Sequence, residues 1–480
     1  MEIIEYRNLV GGELYPARSR KLLDSINPAT GRVWARVPAG DKADVDAAVA
    51  AAAAAFPAWS GLPAAARCHY LKQVAEIFVN HAEELARLET LDNGWPLADN
   101  IRTFGMGMKF LWERSASSTL EAVTGRSAIL DRNMMGYTLR EPYGVVAAIV
   151  PWNAAVAIMS NKASIALAAG NTVVVKPPEQ ASVAILRFGE LLAKVLPAGV
   201  LNIVSGLGED AGEPLVRHPL VRKITMTGSS ETGKRIQRAA ADTLTSSVFE
   251  LGGKSPNIVL ADADLDKAAI GVTTMSIFTA NAGQACVGGS RILVQRPILD
   301  EMLKRIRAIA DQVVLGDPFD SATTMGPIVS QEQHDRVTKY LKIGREEAEL
   351  VFGGRYGAEL VPSRPGGYWV EPTLFITTDN SKRICQEEIF GPVATVIPFD
   401  TDDEAIAIAN DSRFGLASGV WTRNLARAHR YVREIQSGNV WVNTYMQARY
   451  ELPFGGIKDS GYGHDEVLDF TREKTAVIAT

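Results

Sequence analysis

From residue 144 onward, short apolar runs alternate with helical sequence, and this alternation constrains the fold more than any other feature of the chain. Residues 145–150 read as a strand and 154–169 as a helix. Residues 172–175 read as a strand, 182–195 as a helix, and 201–204 and 223–226 as further strands, each followed by a glycine-containing turn. Strands that are apolar along their whole length are buried on both faces, and their alternation with helices predicts a parallel, doubly wound sheet. The pattern recurs with strands at 258–260, 291–294 and 440–443 and helices at 265–279 and 298–312. Ahead of residue 144, an Ala-rich helix over 45–56 closes at Pro57. A second covers 64–91, stopped by Asn93-Gly94, and a third covers 103–120. Residues 453–463 read as a Gly-rich loop. The expected class is α/β, with two α/β units in one chain.

A length of 480 residues suits two to four units at about 100–200 residues each. With 46% apolar and 22% charged residues, wholesale disorder is excluded. Fifty Lys+Arg against 55 Asp+Glu leave no basic footprint for nucleic acid. The most apolar stretch, 145–150, ends at Pro151, far short of the ~18 residues a membrane span needs. The acidic N-terminus lacks the apolar core of a secretion signal, so a cytoplasmic protein is expected. Three scattered cysteines, Cys68, Cys286 and Cys385, make neither a disulfide framework nor a zinc site, and no metal is expected.

Three places offer chemistry. Gly228-Ser229-Ser230-Glu231-Thr232-Gly233-Lys234 follows a strand and meets most of a P-loop pattern, with Asp262 ending a run that mimics its acidic partner. Arg235 stands where that loop needs a hydroxyl for Mg²⁺, which counts against a nucleotide hydrolase. A helix N-terminus remains, and it suits a pyrophosphate. Cys286 lies in Gly283-Gln284-Ala285-Cys286-Val287-Gly288-Gly289; it is either buried filler or a nucleophile. Cys68 and Cys385 lack such loops and read as structural. Glu250 stands between Phe249 and Leu251 ahead of Gly252-Gly253. An apolar setting raises a carboxyl toward neutrality and suits a general base; a surface turn is the other reading.

Seven stretches, taken in order, resemble the aldehyde dehydrogenase superfamily across essentially the whole chain: Pro151-Trp152-Asn153, Lys176-Pro177-Pro178-Glu179, Thr227-Gly228-Ser229, Glu250-Leu251-Gly252-Gly253-Lys254-Ser255-Pro256, Gly283-Gln284-Ala285-Cys286, Glu387-Glu388-Ile389-Phe390-Gly391-Pro392 and Pro453-Phe454-Gly455-Gly456-Ile457-Lys458. The resemblance implies a Rossmann-like NAD-binding domain over 1–122 and 143–250 and a catalytic domain over 251–459. It also implies bridging segments at 123–142 and 460–480 that build a homodimer or homotetramer. It casts Cys286 as the thiolate that attacks an aldehyde and Glu250 as the base that hydrolyses the thioester. Asn153 and the Cys286 N–H would be the oxyanion donors, and Lys162 would assist proton movement. For the cofactor it implies Lys176 and Glu179 at the adenosine ribose, Ser229 at the pyrophosphate, and Glu388 at the nicotinamide ribose. Phe390 would flank the ring, with Trp152, Gly228 and Leu251 around it. Glu179 would repel a 2′-phosphate, so NAD is favoured over NADP. A silent structural relative is the remaining alternative, and intact Cys286, Glu250 and Asn153 oppose it.

The chain departs from common members around the substrate. Ala154, Ala155 and Ala157 are small where relatives are bulky. Asn161, Tyr445, Ala448 and Arg449 make a polar surround, unless Arg449 faces solvent or a neighbouring subunit. A bulky or polar aldehyde, a semialdehyde or a ring-derived one, is the expected substrate.

Overall fold

The computed structural model describes residues 3–447, 449 and 451–479. One eight-stranded sheet runs in the order Gly461–Tyr462, Ser246–Glu250, Val221–Thr227, Val145–Ile149, Thr172–Lys176, Leu201–Ile203, Asn8–Val10 and Glu13–Tyr15. Its five central strands are parallel, and short antiparallel strands close both edges. Val145–Ile149 comes first of the five in the chain yet lies at their centre, so the connections reverse direction between it and Val221–Thr227. Such a switch point opens a crevice beyond the strands' carboxyl ends.

A second, seven-stranded sheet runs Glu349–Phe352, Thr373–Ile376, Val393–Phe399, Arg291–Gln295, Pro256–Val259, Ala417–Trp421 and Asn439–Val442. Only Glu349–Phe352 is antiparallel. The chain leaves the first sheet at the carboxyl end of Ser246–Glu250 and enters the second at the amino end of Pro256–Val259. The crevice of one sheet therefore faces the amino ends of the other.

A third, antiparallel sheet joins Thr471–Ala479, Met134–Pro142 and Ser127–Asp131. Ile129, Leu130, Leu139, Val477 and Ile478 are exposed on it. The expected boundary at 460 is not sharp, because Gly461–Tyr462 pairs with Phe249 and Glu250 in the first sheet.

Several elements differ from their sequence reading. Helix Lys42–Ser60 continues through Pro57, which costs one bond in its last turn. Buried Trp59 holds that turn, its indole N–H donating to the Leu167 carbonyl at 3.2 Å. Helix Leu265–Val272 stops well before residue 279. The Thr273 hydroxyl donates to the Ala269 carbonyl at 2.5 Å, the backbone competition that threonine brings to a helix. The helix expected over 103–120 begins earlier, as Leu97–Arg102, and passes through a π-turn at Thr103–Met108 before Lys109–Ser117. Helix Ala64–Asn93 ends as expected, with Gly94 at φ +81°.

Within the second unit, a Cβ on Gly271 would overlap the ring of Trp421, whose N–H is tied to Asn257 Oδ1 at 2.7 Å. Gly271→Ala gains about 1 kcal/mol of helix propensity, but overpacking a fixed ring costs roughly 1–3 kcal/mol. The expected outcome is a lower urea midpoint by tryptophan fluorescence; an unchanged or higher midpoint would show that Trp421 yields.

Candidate active site

Residues 251–255 carry the chain from one sheet to the other, and they are pinched. A side chain at Gly252 would collide with the Glu388 carboxylate, and one at Gly253 with the Cys286 carbonyl. The Gly253 N–H donates to Glu388 Oε1 at 2.8 Å. Ser460 grips the same linker: its hydroxyl donates to the Gly252 carbonyl at 2.6 Å, and its carbonyl accepts the Leu251 N–H at 2.9 Å. Glu250, Cys286 and Glu388 are thereby brought around one short piece of backbone.

Cys286 lies in the loop before strand Arg291–Gln295. Buried Gln284 braces that loop, donating to the Asn281 carbonyl at 2.7 Å and accepting the Val329 N–H at 3.0 Å. The thiol is free and its residue half-buried. Burial pushes it up to about 12, the nearby Glu250 and Glu388 carboxylates push the same way, and the N–H groups of Val287 and Cys286 itself pull it back. Unassisted, the resting form is the thiol.

Asn153 sits at the switch point, between strand Val145–Ile149 and helix Ala155–Ala168. Its Nδ2 donates to the Gln284 carbonyl at 2.8 Å. An amide nitrogen has two N–H groups, and this bond occupies one while locking the group against the Cys286 loop.

Glu250 is 3% exposed, and neither carboxyl oxygen has a hydrogen-bond partner among the described residues. Burial raises it well above the usual carboxylate range; Asp465 adds to the rise and Lys162 opposes it. Behind it, fully buried Lys162 pairs with Asp465 at 3.2 Å and donates to the Thr225 hydroxyl at 2.9 Å. Asp465 is a site residue the sequence reading missed. It follows Gly461–Tyr462, and only the pairing of that short strand with Glu250 brings it here.

The cofactor candidates lie beyond the carboxyl ends of the first sheet. Ser229 caps helix Ser230–Ala241, accepting the Thr232 N–H, and the first intrahelical bond runs from Gly233 to the Ser229 carbonyl. The amides of Ser230 and Glu231 precede that bond, as an anion seat requires. Gly228 donates to the Glu250 carbonyl at 3.0 Å, and Leu251 packs under Gly233. Lys176 pairs with Glu179 at 2.9 Å. Trp152 and Phe390 meet edge to face, centroids 5.3 Å apart, with Phe390 at φ +63° and its carbonyl held by Gln333 at 2.8 Å. A cation, a carboxylate acceptor, an anion seat and an aromatic pair are the kinds of group that fit a dinucleotide.

The P-loop reading fails on the same geometry. Lys234, which would face a phosphate, is paired with Asp459 at 2.7 Å. Asp262 belongs to the other unit, where it accepts from the Thr422 hydroxyl at 2.7 Å and pairs with Arg427.

Of the expected substrate contacts, Tyr445 is reassigned because its one donor is already engaged, whereas Asn161 has one N–H engaged and a second left. The Asn161 amide donates to Asp465 at 3.1 Å. Tyr445 is fully buried, and its hydroxyl donates to the Val287 carbonyl at 2.8 Å, bracing the Cys286 loop. Ala154 and Ala157 are half-buried beside Asn153, and Arg449 is exposed. Ala448 lies outside the described residues. Among the described residues no helix is long and apolar enough to cross a membrane.

The comparisons agree with this geometry. The aldehyde dehydrogenase family model matches residues 15–478. The chain is 41% identical to a hydroxyisobutyraldehyde dehydrogenase of Mycolicibacterium austroafricanum, over 98% of this chain and 92% of that one. It is 40% identical to a phenylacetaldehyde dehydrogenase of Pseudomonas fluorescens, over 99% and 96%. A solved NAD⁺ complex of an aldehyde dehydrogenase from Bacillus cereus superposes with a TM-score of 0.95 at 37% identity, covering 99% of this chain and 96% of that one. The chain belongs to the aldehyde dehydrogenase family, and it is an NAD-dependent oxidoreductase acting on aldehydes.

Proposed function

We propose that the chain oxidises a bulky, ring-bearing aldehyde, with Cys286 as nucleophile and Glu250 as general base. The observation that carries the assignment of roles is the pairing of the Cys286 thiol with a buried, unpartnered carboxyl in electrostatic reach of it. The Cys286 thiol gives its proton to water, the sulfur adds to the carbonyl carbon, and the C=O π electrons pass to the oxygen, which takes the negative charge. The second N–H of Asn153 and the Cys286 N–H stabilise that oxyanion. NAD, when bound, supplies the hydride acceptor; Ser229, Lys176, Glu179 and Glu388 hold it, and Trp152 and Phe390 wall it. An acyl group remains on the sulfur. Glu250 removes a proton from water, the water oxygen adds to the acyl carbon, and the C–S bond breaks to release the acid. A carboxyl raised by burial is a stronger base than an ordinary one, and Lys162 opposes that rise while Asp465 adds to it.

Small side chains support the substrate class. Ala154 and Ala157 leave room beside the oxyanion donor, and a relative 40% identical is named for phenylacetaldehyde. The exposed apolar sheet of Met134–Pro142 and Thr471–Ala479 supports a homo-oligomer, a dimer or tetramer, in which a second copy covers it. Three unpaired cysteines accord with a cytoplasmic setting.

Cys286→Ala should abolish dehydrogenase activity, whereas Glu250→Gln should release a pre-steady-state burst of NADH and then stall. Near-wild-type turnover in either variant would contradict the assigned roles. For the cofactor, Glu179 facing a 2′-phosphate should favour NAD over NADP by roughly tenfold in kcat/KM, a repulsion of ~1.4 kcal/mol; equal efficiencies would place Glu179 away from the 2′ position. For the substrate, phenylacetaldehyde should exceed hexanal in kcat/KM, and Ala157→Phe should cut the former far more than acetaldehyde. A win for hexanal would remove the ring-bearing class. A carboxylate-bearing semialdehyde that wins in wild type and loses in Arg449→Ala would replace it with an acidic one.

A further inference from the structure

Helix Ala155–Ala168 starts immediately after Asn153 and has no cap of its own. Its N-cap residue is Ala154, which offers no side-chain acceptor. The first intrahelical bond is Ile158 N–H to the Ala154 carbonyl, so the amides of Ala155 and Val156 precede the ladder. Both residues are fully buried, which denies those amides water.

The acceptor comes from a distant part of the chain. Glu89, 1% exposed and one turn from the end of helix Ala64–Asn93, turns its carboxyl onto this helix start. Its Oε2 accepts the Val156 N–H at 3.2 Å, and the Ala155 N–H also donates to the carboxyl. Its Oε1 accepts from Asn93 Nδ2 at 3.3 Å, which fixes the carboxyl plane. Burial raises Glu89 to about 8, with Asp92 adding to the rise and these donors opposing it. A carboxylate at a helix N-terminus also meets the positive end of the helix dipole.

We propose that Glu89 is a positioning residue for the oxyanion: by capping helix Ala155–Ala168 in trans, it sets where the turn ahead of it holds the Asn153 amide. The arrangement has no slack at either side of Asn153. The strand Val145–Ile149 fixes the turn on one side, and Glu89 fixes it on the other, while Gln284 holds the amide itself. A helix start free to shift by a fraction of an ångström would move the second N–H off the developing charge without touching the cofactor seat.

The proposal rests on Asn153 being the oxyanion donor, and a double-mutant cycle separates the two. kcat/KM for phenylacetaldehyde is measured at pH 9, where the Glu89 carboxyl is largely ionised, in wild type, Glu89→Gln, Asn153→Ala and the double variant. Asn153→Ala should lose about 10²-fold or more. Glu89→Gln keeps the shape and removes the charge, and should lose about three- to tenfold in kcat with little change in the KM for NAD. In the Asn153→Ala background the same change should cost nothing further in kcat/KM, while it lowers the thermal midpoint equally in both backgrounds. Losses that multiply, or a Glu89→Gln enzyme with wild-type kcat, would overturn the positioning role. Wild-type activity in Asn153→Ala would remove the oxyanion reading and the proposal with it. Should Glu89→Gln not fold, the cycle runs with Glu89→Asp, which keeps the charge but withdraws it by one methylene.

Discussion

The molecule depends on how closely its backbone can approach itself at residues 251–255. Two parallel sheets could be strung together by any linker, but only a linker without side chains at Gly252 and Gly253 can run between the Glu388 carboxylate and the Cys286 carbonyl. That approach makes the carboxyl end of one sheet and the amino end of the other share a single crevice. A parallel sheet offers its loops at the carboxyl ends, where phosphates and riboses are met by backbone amides. The second sheet inverts this and brings Cys286, the proposed nucleophile, in ahead of a strand. The seam between them holds both chemistries because five residues span it.

Burial then supplies the reactivity. Desolvation, ahead of any charge partner, raises both Glu250 and Cys286. The two effects have opposite uses. A raised carboxyl is a better base, whereas a raised thiol is a poorer nucleophile until something favours its ionised form. Lys162 is set so that it acts on Glu250, with its charge shared by Asp465 rather than left to pair directly with the base. A direct ion pair would have held Glu250 permanently ionised and low. With Asp465 beside it, Lys162 leaves the burial uncancelled, because the carboxylate pushes Glu250 up more than the ammonium pulls it down.

Much of this was legible in the sequence. The parallel sheets follow from strands such as Val145–Ile149 and Thr172–Lys176, whose residues are largely apolar on both faces. The residues that sequence reading misplaced are those whose roles depend on long-range pairing. Asp465 reaches Glu250 only because Gly461–Tyr462, two residues within an apparent loop, adds an antiparallel edge strand. Tyr445 looks like a substrate ligand in a polar stretch, yet its one donor is consumed by the Val287 carbonyl. Hydrogen-bonding capacity is visible in a sequence; whether a neighbour from across the fold has already taken it is not.

The same limit explains why helix caps can be read locally at one side of the crevice and not at the other. Helix Ser230–Ala241 carries its own cap, Ser229, in the chain, and that cap is itself exposed. Helix Ala155–Ala168 begins with alanines, and its first amides turn inward to Glu89, a residue on an element that precedes the whole parallel sheet. The first arrangement suits a site that must receive and release an anion, since a local cap leaves the approach open. The second suits a turn that should not move while charge develops beside it, since the cap is buried in the body of the protein. Of the two helix starts flanking the switch point, one is therefore built as a seat and the other as an anchor.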